Sequence, residues 1–196
     1  MLKLAITGGI ACGKSLVGSC LAAQGVPVCD ADDLAHAAMS PGTDLHALVV
    51  AEFGNRILKP DGAIDRQKLG ALVFSSVEKR EKLNRMVHPR VRLAWEQWLR
   101  EREGKFPVAA VIIPLLYEVG LEDGWDAVVC VMASRAMQMA RLRARGLSEE
   151  EAVRRITAQM PLVAKAERAD YVIVNNGSRQ LLEEQTMRVL KSIREK

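Results

Sequence analysis

The sequence predicts an α/β fold with a doubly wound parallel sheet of about five strands. Three observations predict it. Five short apolar runs, at residues 2–7, 26–30, 108–113, 127–132 and 171–174, are mostly continuous rather than alternating. That is the pattern of parallel strands buried on both faces. Segments of helical periodicity separate them, and the first run leads through a glycine-rich loop straight into a helix.

After the first strand comes Gly8-Gly9-Ile10-Ala11-Cys12-Gly13-Lys14-Ser15. It fits G-x-x-x-x-G-K-[ST], the phosphate-cradling loop of nucleoside-triphosphate enzymes. Leu16, Val17, Cys20 and Leu21 then recur at helical spacing, and Gly25 offers a stop. In such a loop, backbone N–H groups surround the phosphates. Lys14 reaches the β- and γ-phosphates, and Ser15 places its hydroxyl on Mg²⁺. The helix N-terminus behind the loop favours anions.

The second strand ends in Asp30-Ala31-Asp32-Asp33. The C-terminal ends of strands in a doubly wound sheet line the active crevice, so these carboxylates are expected to face the crevice of Lys14 and Ser15. An extended segment would put Asp30 and Asp32 on one side. One of them could accept a hydroxyl proton or hold a Mg²⁺-bound water; helix capping by Asp32 or Asp33 is the alternative.

Residues 32–104 are too long for a simple crossover and read as an inserted helical subdomain able to hold a second substrate. Ser75-Ser76-Val77-Glu78 reads as a capping box, with Leu83, Met86 and Val87 on one face behind it. Pro89, after His88, suits the first turn of a new helix. Val91, Trp95, Trp98 and Leu99 form one stripe, so the tryptophans are expected in the core. The third strand carries no carboxylate and leads into Pro114-Leu115-Leu116-Tyr117-Glu118. Beyond Ser15, the Mg²⁺ ligand stays open among Asp30, Asp32 and Glu118.

The region 134–168 follows the fourth strand. Arg135, Arg141, Arg143 and Arg145 appear there with no acidic residue from 134 to 147. A one-sign cluster after a sheet strand reads as a phosphate clamp, or else as a solvated basic face. Ser148-Glu149-Glu150-Glu151 is a second capping box, with Val153, Ile156 and Met160 behind it. Ser178 caps a last helix with Leu182, Val189, Leu190 and Ile193 on one stripe.

The 196 residues suit one domain with insertions, and 49% hydrophobic residues supply a sizeable core. No run approaches the ~18 apolar residues of a membrane span, and the chain enters a strand at once. A cytoplasmic location without membrane partners is expected. The net charge of +4 fits either a nucleic-acid binder or an enzyme of polyphosphate substrates. No aromatic stacking pattern accompanies the basic residues, which argues against nucleic acid. No Asn/Thr-Lys-x-Asp run is present to read guanine, which argues against a GTPase switch. Cys12, Cys20, Cys29 and Cys130 form no C-x-x-C pair and read as reduced core residues. Cys12 is the exception, either a small loop residue or a thiol activated by Lys14 and the helix N-terminus.

Taken in order, Thr7-Gly8-Gly9-Ile10, the loop, Asp30-Ala31-Asp32, His88-Pro89, Pro114-Leu115-Leu116-Tyr117-Glu118 and Ala169-Asp170-Tyr171-Val172-Ile173 resemble the dephospho-CoA kinase family. Gly62-Ala63-Ile64-Asp65-Arg66 with Leu69 and Phe74, and Arg155, Gln159, Lys165 and Asn175-Asn176-Gly177, fit as well. The resemblance covers essentially the whole chain. It implies a P-loop fold that uses ATP and Mg²⁺ to phosphorylate the ribose 3′-hydroxyl of dephospho-CoA, the last step of coenzyme A synthesis. It further implies one domain in three parts: a nucleotide-binding core (1–31, 105–133 and 169–196), a CoA-side helical part (32–104) and a lid (134–168).

Carried over by position, residues 8–16, Leu16 included, hold the nucleotide. Asp32 is the base, Arg141 the lid arginine that reaches the phosphates, and Arg145 a second. Thr7, Asp32, His88 and Arg66 fall on the acceptor side. Another P-loop nucleotide or small-metabolite kinase is the alternative. The family's loop usually reads Gly-Ser where this chain has Ala11-Cys12, and Thr is common at Leu16. Ala11 is therefore expected to limit a positive φ at its position.

Overall fold

The strands that the apolar runs predict all form. In the computed structural model, which describes residues 1–195 and all their side chains except that of Phe74, they are β1 (Leu2–Gly8), β2 (Val28–Asp30), β3 (Val108–Ile112), β4 (Ala127–Met132) and β5 (Tyr171–Val174). Their order is β2-β3-β1-β4-β5 and every pairing is parallel. β1 lies between β3 and β4, with Leu4 opposite Ala110 on one side and Ala127 on the other. Leu4, Ala5 and Ile6 are accordingly buried, which is why their run does not alternate. The second strand starts at Val28 rather than at residue 26, because the Val26 N–H closes the helix end by donating to Leu21 O at 3.2 Å. The chain leaves β1 toward β2 and leaves β3 toward β4, in opposite directions along the sheet. This makes the β1/β3 boundary the switch point where ligands bind in such folds.

Two units divide the chain: Met1–Asp30 with Glu101–Lys196, and Ala31–Arg100. In the first, α1 (Lys14–Ala23) and α9 (Arg179–Arg194) share a core with the sheet through Val17, Leu21, Leu182, Leu190 and Ile193. The region 134–168 belongs to this unit. It consists of α6 (Arg135–Ala144), α7 (Glu149–Thr157) and α8 (Leu162–Glu167). Leu142 and Ala152 cluster there with Ala11, so the loop rests on α6 and α7. The capping box at Ser148 and Glu151 is present in both directions.

The second unit holds α2 (Ala31–Ala38), α3 (Asp44–Phe53), a 3-10 turn (Asn55–Ile57), α4 (Arg66–Phe74) and α5 (Val77–Arg100). Val87, Val91, Trp95 and Leu99 form the buried face of α5. Trp95 is core as expected, while Trp98 is only half-buried.

Two expectations fail here. Pro89 does not begin a helix but lies inside α5, twelve residues after its start. Nor is there a capping box before α5. Ser76 caps it by accepting the Lys79 N–H at 3.3 Å, so a lysine holds the position a box needs for Glu. Ser75 instead donates to Leu72 O at 3.0 Å.

Candidate active site

The loop begins where β1 ends, and its glycines are dictated by what surrounds them. A Cβ on Gly8 would sit 2.1 Å from Val131 O, one on Gly9 2.7 Å from Gln138 Nε2, and one on Gly13 2.2 Å from Asn175 Nδ2. Ala11 does adopt the left-handed region, φ 58, and among the described residues is the non-glycine with a positive φ. The expected limit is thus overridden by the packing of Ala11 against α6 and α7, at a cost of about 1 kcal/mol.

α1 starts at Lys14 with no side-chain cap. Its first N–H groups with partners inside the helix are those of Leu16 and Val17, at 3.0 and 3.2 Å from Gly13 O. The amides of Gly13 and Ser15 come before them, among the N–H groups that a helix cannot satisfy itself. Lys14 Nζ folds over the loop and donates to Gly9 O at 2.9 Å and Gly8 O at 3.2 Å. Ser15 and Leu16 are exposed.

Arg141 is a half-buried brace of this loop. Its Nη1 donates to Ala11 O at 3.0 Å and Cys12 O at 3.4 Å, and its Nη2 to Asn175 O at 3.0 Å. Arg143 instead pairs with Glu149, while Arg135 and Arg145 are exposed. The arginine cluster therefore splits into separate tasks, with Arg145 one turn beyond Arg141 at the end of α6. Thr7 is wholly buried, with its hydroxyl donating to Pro114 O at 3.4 Å, which puts it under the loop rather than on an open surface.

Cys12 is wholly buried too, and burial pushes its thiol up despite the opposing fields of Lys14 and Arg141. The activated-thiol alternative is thereby overturned: desolvation of the thiolate outweighs the nearby cations. Glu118 is held by the fully buried Lys165 at 2.8 Å and accepts the Met160 N–H at 2.9 Å through the same oxygen.

The second unit carries the other expected residues. Asp32 does not lie on an extended segment, because α2 starts at Ala31; it is exposed in the first helical turn. The same-side argument for Asp30 and Asp32 fails for that reason. Arg66 opens α4 and lines a cavity of about 360 Å³ with His36, Lys59, Ile64, Leu69 and Leu83. His36 is held below the usual histidine range by burial and then by Arg66, against the pull of Asp32 and Asp33. His88 is half-buried on α5 and burial lowers its pKa, which favours the neutral ring.

Sequence reading gave no role to Gln138, Gln159, Asn175 or Lys165. Gln138 Nε2 donates to Ile10 O at 2.7 Å, Gln159 Oε1 accepts the Ile10 N–H at 2.7 Å, and Asn175 Nδ2 donates to Cys12 O at 2.8 Å. The available signals were the family resemblance, which picks out Gln159, Lys165 and Asn175 without giving them a role, and the place of Gln138 four residues before Leu142 on a buried stripe.

The model of the dephospho-CoA kinase family (CoaE) matches residues 2–180. A dephospho-CoA kinase of Anaeromyxobacter dehalogenans is 46% identical, covering 99% of this chain and 93% of that one. The chain belongs to the dephospho-CoA kinase family. Among solved structures, TT1252 from Thermus thermophilus matches with a TM-score of 0.82 and 34% identity, over 97% of this chain and 96% of that one. The dephospho-CoA kinase from Campylobacter jejuni matches with a TM-score of 0.69 and 25% identity, over 98% and 97%.

The loop of this family member fits a triphosphate on its own geometry. An uncapped helix N-terminus and Lys14 supply positive potential, and the glycines let the loop close tightly on Val131, Gln138 and Asn175. Ser15 Oγ, exposed at the same place, suits Mg²⁺, which keeps several waters and needs few protein ligands. Among the described residues no helix is long and apolar enough to cross a membrane.

Proposed function

We infer that the protein transfers the γ-phosphoryl group of ATP to the ribose 3′-hydroxyl of dephospho-CoA, giving coenzyme A and ADP. Family membership over residues 2–180, with the loop intact in sequence and geometry, is the observation that carries this reading. Bound Mg²⁺ would supply charge neutralisation on the phosphates, with Ser15 as its ligand from the chain. Residues 8–16 cradle the phosphates through backbone N–H groups, and Lys14 turns from the loop carbonyls to the β- and γ-phosphates.

Asp32 accepts the proton of the 3′-hydroxyl as that oxygen attacks phosphorus and ADP departs. Its place two residues beyond β2 supports this, since the ends of the strands line the crevice in such sheets. Arg141, already at the loop, stabilises the charge on the phosphates, and Arg145 reinforces it from the end of α6. Arg66 and His88 serve the acceptor from the helical unit, and Thr7 supports the acceptor side from beneath the loop. The region 134–168 acts as the lid. The substrates are two small molecules, and the site of action is the cytoplasm.

The Asp32→Asn variant tests the assignment of the base. Its kcat should fall about a hundredfold or more, with ADP affinity within about threefold of the unaltered protein. An unchanged kcat would remove Asp32 as the base.

A further inference from the structure

Ile10 occupies the second position of a turn from Gly9 to Cys12, closed by the Cys12 N–H donating to Gly9 O at 3.3 Å. Both of its peptide groups are held from outside the loop. The N–H donates to Gln159 Oε1 and the C=O accepts from Gln138 Nε2, each at 2.7 Å. Gln138 is 5% exposed on α6; Gln159 is half-buried just after α7. The backbone fixes which amide atom faces it: only the oxygen can take an N–H, and only the nitrogen can serve a C=O.

The third turn position is Ala11 at φ 58, while Ile10 has no positive φ. That is the type II arrangement, which ordinarily wants glycine third. Type I suits alanine better and differs by a flip of the central peptide, the Ile10 C=O and the Ala11 N–H. A flip would turn an N–H toward Gln138 Nε2, donor against donor, and would break the 2.7 Å bond to Ile10 O unless the amide turned with it. Gln138 as oriented therefore holds the type II turn against the one that Ala11 would otherwise favour. A trans peptide sets its N–H antiparallel to its C=O, so the same bond turns the Ala11 N–H away from Gln138. The close approach also needs Gly9, whose Cβ would meet Gln138 Nε2 at 2.7 Å.

We propose that Gln138 and Gln159 are positioning residues for phosphoryl transfer, gripping the two peptide groups of Ile10 so that the Ala11 N–H faces the nucleotide phosphates. Neither touches the nucleotide. This rests on the phosphoryl-transfer reading above.

ADP binding by calorimetry, with steady-state kinetics beside it, tests the proposal. Gln159→Glu keeps an acceptor for the Ile10 N–H, whereas Gln138→Glu sets an acceptor against the Ile10 C=O. Both add one negative charge beside the same residue, so their difference reads the polarity of the grip. ADP should bind about tenfold more weakly to Gln138→Glu than to Gln159→Glu. Gln138→Met, which removes the donor without adding charge, should raise KM for ATP about tenfold and leave KM for dephospho-CoA unchanged. Adding Ala11→Gly should restore much of that loss, because glycine tolerates the type II turn.

Equal ADP affinity of the two Glu variants would overturn the proposal. Should the Gln138 variants fail to fold, Gln159→Leu decides. Binding about tenfold weaker than in Gln159→Glu supports the proposal, and equal binding overturns it. Absence of ADP binding in the unaltered protein would instead overturn the phosphoryl-transfer reading itself, and this proposal with it.

Discussion

Lys165 Nζ lies 2.8 Å from Glu118 Oε1, and the lysine side chain is wholly buried. The same ammonium donates to Pro114 O at 2.7 Å, so one cation ties α8 to both ends of the segment Pro114-Leu115-Leu116-Tyr117-Glu118. That segment leaves β3 at the switch point of the sheet, where the Thr7 hydroxyl of β1 also donates to Pro114 O. Lysine is almost never fully buried unless paired, and here the pair and the carbonyl supply the compensation.

Removing one partner should therefore cost more than removing both. Lys165→Met leaves the Glu118 carboxylate without its cation and should destabilise the fold by about 3–5 kcal/mol. Adding Glu118→Gln should return a substantial part of that. Urea unfolding midpoints of the single and double variants check it, and a double variant no more stable than Lys165→Met would contradict it.

Ala11 holds a positive φ that glycine adopts freely. Ala11→Gly should raise stability by up to about 1 kcal/mol, the release of left-handed strain less the added freedom of the unfolded chain. Thermal unfolding checks this. A clear loss of stability would mean that the Ala11 methyl contributes more through its contacts with α6 and α7 than its backbone strain removes.

The thiols should be slow. Burial raises the Cys12 pKa, and that of Cys130 is pushed up to about 11, so near pH 8 both stay protonated and closed to reagent. Cys29 is buried as well, which leaves half-buried Cys20 as the most accessible thiol. Titration with a disulfide reagent should modify Cys20 first and spare Cys12 until denaturant is added. Rapid modification of Cys12 in the native protein would contradict its burial.

The sheet was legible because strands buried on both faces leave continuous apolar runs, and all five runs became strands. The loop was legible because its glycines and Lys14-Ser15 are local. Pro89 misled because a proline that starts a helix and one tolerated inside a packed helix look alike in sequence. Asp32 misled because the helix opens one residue after β2 and ends the alternation. The contacts that shape the loop were hidden for another reason. Gln138, Gln159 and Asn175 meet Ile10 and Cys12 across more than a hundred residues, and no local pattern encodes such a meeting.

The acceptor is what separates this enzyme from other P-loop kinases. Incubating the protein with ATP, Mg²⁺ and dephospho-CoA, and locating the new phosphate by phosphorus NMR, tests it most directly. The expected result is stoichiometric ADP and a phosphomonoester on the ribose 3′-oxygen. Lys14→Ala should lose about a thousandfold in rate through lost charge stabilisation. No phosphorylation of dephospho-CoA, together with turnover of a nucleotide monophosphate or another small acceptor, would contradict it.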